Sequence, residues 1–157
     1  MQPERGVKEW PTARPVAIFF ARMILGLIFF MAGWWKVFDL GPPEHARRLF
    51  VEPYAETFLP AWSLWITGAT VPIVELVAGG LLVIGLWTRP ALYALGAVLV
   101  LVTFGHLVLE PLYEFHSHVI PRLALLLFVL VMPSQEDRAS VDYWMAARGR
   151  PQHAGGP

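Results

Sequence analysis

The run from Thr70 to Arg89, TVPIVELVAGGLLVIGLWTR, is apolar over the length one helix needs to cross a bilayer, and it holds a single carboxylate, Glu75. An ionisable side chain inside such a span costs a few kcal/mol unless it faces a partner or water, so it marks a pairing or functional site. The other apolar runs should therefore carry complementary charge at matching depth. They do: Lys36 closes the first, His106 lies in the third and Arg122 at the start of the fourth.

The pattern predicts an all-α, polytopic membrane protein: a four-transmembrane-helix bundle with a short interfacial or re-entrant helix between helices 1 and 2. Spans are expected at about 15–38, 65–87, 91–109 and 119–132, within a membrane domain of 15–132. Pro15 suits the first turn of a helix. The first run ends in Trp34, Trp35 and Lys36, an interfacial belt with a snorkelling cation, where a cleaved signal would end in small residues. Pro42 and Pro43 break the helix. Leu49, Phe50, Tyr54, Phe58 and Leu59 then recur at roughly helical spacing, in a segment interrupted at Pro53 that is too polar to be a span. The fourth run is short unless it borrows flanking residues. Residues 133–157 read as a tail with an amphipathic piece near 141–147 and a Gly/Pro end expected to be disordered.

Hydrophobic residues make up 56% of the chain, too much for a domain wetted on all sides, so lipid must cover part of it. Twelve basic and twelve acidic residues cancel, which leaves no global field for nucleic acid, and no phosphate-binding glycine loop or zinc pattern is present. The absence of cysteine excludes disulfides, thiol catalysis and cysteine-held iron–sulfur clusters in this chain.

Four spans place both termini on one side. Basic residues clear of the spans are Arg5, Lys8, Arg14, Arg89, Arg138, Arg148 and Arg150 on that side, against Arg47 and Arg48 on the other. This bias puts both termini, including residues 1–14, in the cytoplasm of a cell (inner) membrane protein. At about 1.5 Å of rise per residue, Glu75 lies roughly 20 Å from Arg89 and His106 roughly 24 Å from Pro90, so both sit in the outer half with Lys36 and Arg122. Arg22 lies toward the cytoplasmic half. Arg22, Gly26, Phe29, Gly33 and Lys36 share one helical face, and Gly68, Pro72, Glu75 and Gly79 line a comparable stripe. Faces that gather small and charged residues should point inward in lipid.

A polar outer cavity follows, with Glu75 and His106 as candidate catalytic, proton-exchanging groups and Arg22, Lys36 and Arg122 as candidate substrate-binding groups. The alternative is structural: Glu75 pairs with Arg122 or Lys36 and locks the bundle. His116 and His118, two residues apart in a loop, form with Glu114 a weak metal pattern, and no metal is assigned.

At these residues the chain resembles the DoxX family of small membrane proteins, with DoxD and MauE as relatives. The features are Arg22 within the first span and its closing Gly33 to Lys36, the block ELVAGGLLVIGLWTRPAL from Glu75 to Leu92, and DRASVDYW around Asp142. Arg22, Gly33, Lys36, Glu75, Gly79, Gly80, Gly85 and Asp142 match; His106, His116 and His118 are not part of the pattern. The resemblance implies a four-helix membrane bundle that works beside oxidoreductases, DoxD-like members being linked to a thiosulfate:quinone oxidoreductase. The expectation is a quinone-interacting membrane subunit of an oxidoreductase, with quinone as the possible cofactor. Its partners would be lipid and a second protein or another copy. A non-catalytic anchor or assembly factor and a small proton-coupled transporter are the competing readings.

Overall fold

The structure, a computed structural model, describes residues 13–112 and 114–148. Residues 1–12 of the expected cytoplasmic N-terminus and the expected disordered end, residues 149–157, lie outside them.

Among the described residues the chain is helical and has no strand. Helix α1 (Ala13–Trp34) runs on through a π-helical turn, Trp35–Leu40. Gly41 breaks it with φ +85°, and Pro42 and Pro43 open α2 (Pro42–Ala46), which continues as a second π-helical turn, Arg47–Val51. The prolines thus begin a helix, and the break belongs to the glycine before them: proline lacks only an N–H that a first turn leaves unpaired. Next come α3 (Ala61–Ile84), α4 (Thr88–Leu109), α5 (Val119–Val131), a 3₁₀ turn at Ser134–Glu136 and α6 (Val141–Arg148).

Three helices are long and apolar enough to cross a membrane: Ala13–Leu40, Ala61–Ile84 and Thr88–Leu109. Helix α5, with 13 residues, spans about 20 Å, short of the roughly 30 Å hydrocarbon core. It packs into the bundle nonetheless. Helix α1 lies against α3 and α5, and α4 closes the ring by touching both. The enclosed core is built from Leu25, Phe29, Leu82, Leu92, Leu95 and Leu126.

The α1–α3 pair is the tightest, and the small residues explain it. A Cβ on Gly33 would stand 2.7 Å from the Leu76 Cα, and one on Gly79 would stand 2.8 Å from the Phe30 Cα, so the two backbones touch where the side chains are missing. The inward face expected for α1 is buried at Arg22, Gly26, Phe29 and Gly33, and the α3 stripe is buried at Gly68, Pro72, Glu75 and Gly79. Trp34, Trp35, Trp62 and Trp65 are exposed at the end where α1 finishes and α3 starts, and Trp87 and Trp144 at the other. Amphipathic indoles at both ends of apolar helices suit two membrane–water interfaces.

The α3–α4 turn is fastened by the tail. Gly85 adopts the left-handed conformation (φ +70°) that ends α3, and Trp87 follows with φ 48°, which leaves the first N–H groups of α4 without helical acceptors. Asp142 supplies them: its Oδ1 accepts from Trp87 N at 2.9 Å and its Oδ2 from Thr88 N at 2.8 Å. The Asp142 N–H donates in return to Gly85 O, also at 2.9 Å.

Candidate functional site

Helix α1 delivers Lys36 one turn beyond Gly33, and the close approach at Gly33 sets it opposite Glu75 on α3. Lys36 Nζ lies 2.5 Å from Glu75 Oε2; the carboxylate side chain is buried and the lysine is partly open. Of the two partners the sequence allowed for Glu75, the fold chooses Lys36.

The pair borders a cavity of about 230 Å³ whose other walls include Phe29, His106, His118 and Arg122. Lys36, Glu75, His106 and Arg122, from four different helical segments, therefore meet at one end of the bundle. Arg122 carries its guanidinium 5.6 Å from the Phe29 ring centroid, a cation–π distance. His118 lines the same wall, and its Nδ1 lies 2.7 Å from Ser117 Oγ. His116 instead faces outward with Glu114, 3.6 Å away on the surface.

A second cavity of about 360 Å³ adjoins the first and is mostly apolar. Lys36 and His106 belong to its wall as well, with His45, Phe50, Tyr54 and Thr67 among the rest. The segment between α1 and α3 covers it. Tyr54 is buried, and its hydroxyl lies over Gly105 of α4, where a Cβ would come within 2.8 Å of the phenol oxygen. Burial pushes the Tyr54 pKa up, so the phenol stays protonated near neutral pH.

His45 is the cavity residue that sequence reasoning did not single out. Pro72 inside α3 has no N–H, which strips the Gly68 carbonyl of its partner four residues on. The buried His45 replaces that partner, with Nδ1 2.7 Å from Gly68 O. A carbonyl only accepts, so Nδ1 carries the proton and Nε2 of the neutral ring is an acceptor. The signals were weak: His45 stands four residues before Leu49, on the face of the segment's apolar stripe, and Pro72 announces an orphaned carbonyl.

Burial lowers the His45 pKa below the usual 6.5, Lys36 lowers it further, and the Gly68 hydrogen bond and Glu75 oppose. A histidine with a depressed folded pKa contributes stability above the unfolded value that is lost as pH falls through the folded one. The α2 segment should therefore loosen from α3 as pH falls below the ordinary histidine value of 6.5. Trypsin cleavage after Arg47 and Arg48 should accelerate in the native chain relative to His45→Gln, which keeps an N–H donor but does not titrate. A constant ratio between the two proteins as pH falls would sink the assignment.

Arg22 is placed elsewhere. It is fully buried at the opposite end of the α1 face, where the last carbonyls of α3 lack helical donors. Its Nη1 donates to Leu82 O and, at 3.0 Å, to Val83 O; Nη2 donates to Ala139 O at 3.2 Å; Nε lies 2.8 Å from Asp137 Oδ2. Arg22 thus ties α1, α3 and the segment after α5 together, and it lines neither of the two cavities.

Compared with known families, residues 14–114 match the one described as methylamine utilisation protein MauE. The chain belongs to the MauE family. The family match and the three long apolar helices make it a multi-pass membrane protein. No curated protein and no solved structure matches the chain. The MauE match takes in Arg22, Lys36, His45, Glu75 and His106 and ends before Arg122, so the smaller cavity is built partly from MauE-matched residues and partly from α5.

Proposed function

We propose that this MauE-family chain, a member of the wider DoxX group, is a membrane subunit of an oxidoreductase and binds a quinone in the outer half of the bundle. In this reading α5 completes a fourth crossing with flanking residues, the α2 segment lies at the outer interface, and both termini are cytoplasmic.

The observation that carries the reading is the shared wall: Lys36 and His106 face a charged cavity on one side and an apolar cavity of about 360 Å³ on the other. A quinone needs both environments, apolar room for ring and tail and polar groups at its carbonyl oxygens. The Lys36 ammonium, the Tyr54 hydroxyl and the imidazoles of His45 and His106 are the groups that would meet those oxygens. Reduction to the quinol takes two electrons and two protons. The electrons would arrive from a partner subunit, and the protons through His106 and Glu75.

The test is the quinone content of the chain purified in a neutral detergent, measured by mass spectrometry of its organic extract. Near-stoichiometric quinone is expected in the native protein, with a severalfold loss in folded His106→Phe and in the charge-neutral double variant Lys36→Gln/Glu75→Gln. A level no higher than co-purified lipid would overturn it. An anchoring or assembly role would then be favoured by one specific observation, that the Lys36–Glu75 and Arg22–Asp137 pairs already join separate elements of the bundle.

A further inference from the structure

Of the three charged side chains around the smaller cavity, Lys36 and Glu75 neutralise each other, and Arg122 is left over. Among the described residues Arg122 has no ion pair and no hydrogen bond. Its one recorded partner is the face of Phe29. Arg122 is half-buried near the start of α5, and the neighbouring wall is apolar: Val98, Leu99, Val102 and Val119. With neutral histidines, the cavity holds one net positive charge.

A guanidinium in such surroundings has lost much of its water, and a ring face replaces only part of that solvation. Its planar fork of donors matches an oxyanion, to which it can give two parallel hydrogen bonds. His106 and His118 line the same wall and add ring nitrogens, while Glu75 is held away by Lys36 and so does not occupy the fork. No acidic side chain among the described residues supplies the counter-charge.

We propose that the smaller cavity is an oxyanion site. It takes a group with one net negative charge, of phosphate or carboxylate type, held by Arg122 with His106 and His118 beside it. The same chemistry is offered by the headgroup of an anionic lipid and by a soluble anion. The site does not depend on quinone binding, since the larger cavity can stand empty while Arg122 is neutralised.

The experiment uses the full chain in a neutral detergent, with phosphatidylglycerol, phosphatidylcholine and inorganic phosphate as probes. Binding is read by native mass spectrometry and by thermal unfolding at fixed ionic strength. We expect saturable, one-to-one binding of phosphatidylglycerol or phosphate and none of comparable strength for phosphatidylcholine. Arg122→Gln should weaken it at least tenfold and Arg122→Lys less, while Arg89→Gln, at the far end of the bundle, should leave it unchanged. Binding of phosphatidylglycerol alone identifies a lipid headgroup as the source, and binding of phosphate as well identifies a soluble anion. Failure of the native chain to prefer either anion over phosphatidylcholine overturns the proposal, whether or not the variants fold. So does an Arg122→Gln protein that binds as tightly as the native one.

Discussion

Glu75→Gln alone should lower the unfolding free energy by about 3 kcal/mol, because it leaves the Lys36 ammonium facing a neutral amide inside the bundle. Lys36→Gln combined with Glu75→Gln should recover most of that loss. A buried ion pair adds little net stability over a neutral pair of similar volume, since the desolvation of two charges offsets their attraction, whereas one unmatched charge bears the whole desolvation cost. The distinction matters here because Glu75 is buried and Lys36 is only partly open to solvent. Denaturant unfolding in a neutral detergent, followed by circular dichroism, measures both variants. Equal losses in the single and double variants would mean that the unmatched ammonium carries no cost of its own. The same result bears on function: any drop in quinone content in Glu75→Gln confounds site chemistry with instability, and the double variant separates them.

What could be read before the structure follows from where the physics is local. Long apolar runs with interfacial tryptophans specify membrane helices by composition, and the glycines of α1 and α3 specify which faces touch. The spacing of Arg22, Gly26, Phe29, Gly33 and Lys36 needs nothing but a 3.6-residue period. The gathering of Lys36, Glu75, His106 and Arg122 around one cavity was legible from depth along antiparallel helices, which is simple arithmetic once the turns are found. The choice of Lys36 over Arg122 as the partner of Glu75 was not, because it depends on the ångström-scale approach at Gly33 and Leu76. His45 was hidden for a different reason: its role comes from Pro72, twenty-seven residues later, and only tertiary packing brings the imidazole to the carbonyl that the proline orphans. Asp137 was overlooked because, in a tail that reads as polar and solvated, nothing local distinguishes a buried aspartate from an exposed one.

That aspartate makes Arg22→Met the most damaging single change expected, with a loss of about 3 to 5 kcal/mol near pH 7.5. The substitution removes the donor to Leu82 O, Val83 O and Ala139 O, and it strands a carboxyl that is already buried, whose Oδ1 has no hydrogen-bond partner among the described residues. Burial already raises the Asp137 pKa, and the Arg22 charge opposes the rise, so without Arg22 it climbs further. An acid whose folded pKa lies above its unfolded value contributes stability that is fully present below the unfolded value and lost as pH rises through the folded one. The Arg22→Met protein should therefore be less impaired at pH 5 than at pH 8, and adding Asp137→Asn should remove that pH dependence and restore part of the stability. The three carbonyls that lose an Arg22 donor titrate nowhere in this range, so whatever deficit survives in the double variant measures them. A pH-independent loss, unchanged by Asp137→Asn, would instead place the whole weight of Arg22 on the end of α3 and leave Asp137 a bystander. Either division concerns how the helices are joined at the far end of the bundle, and it leaves the charged cavity to Lys36, Glu75, His106 and Arg122.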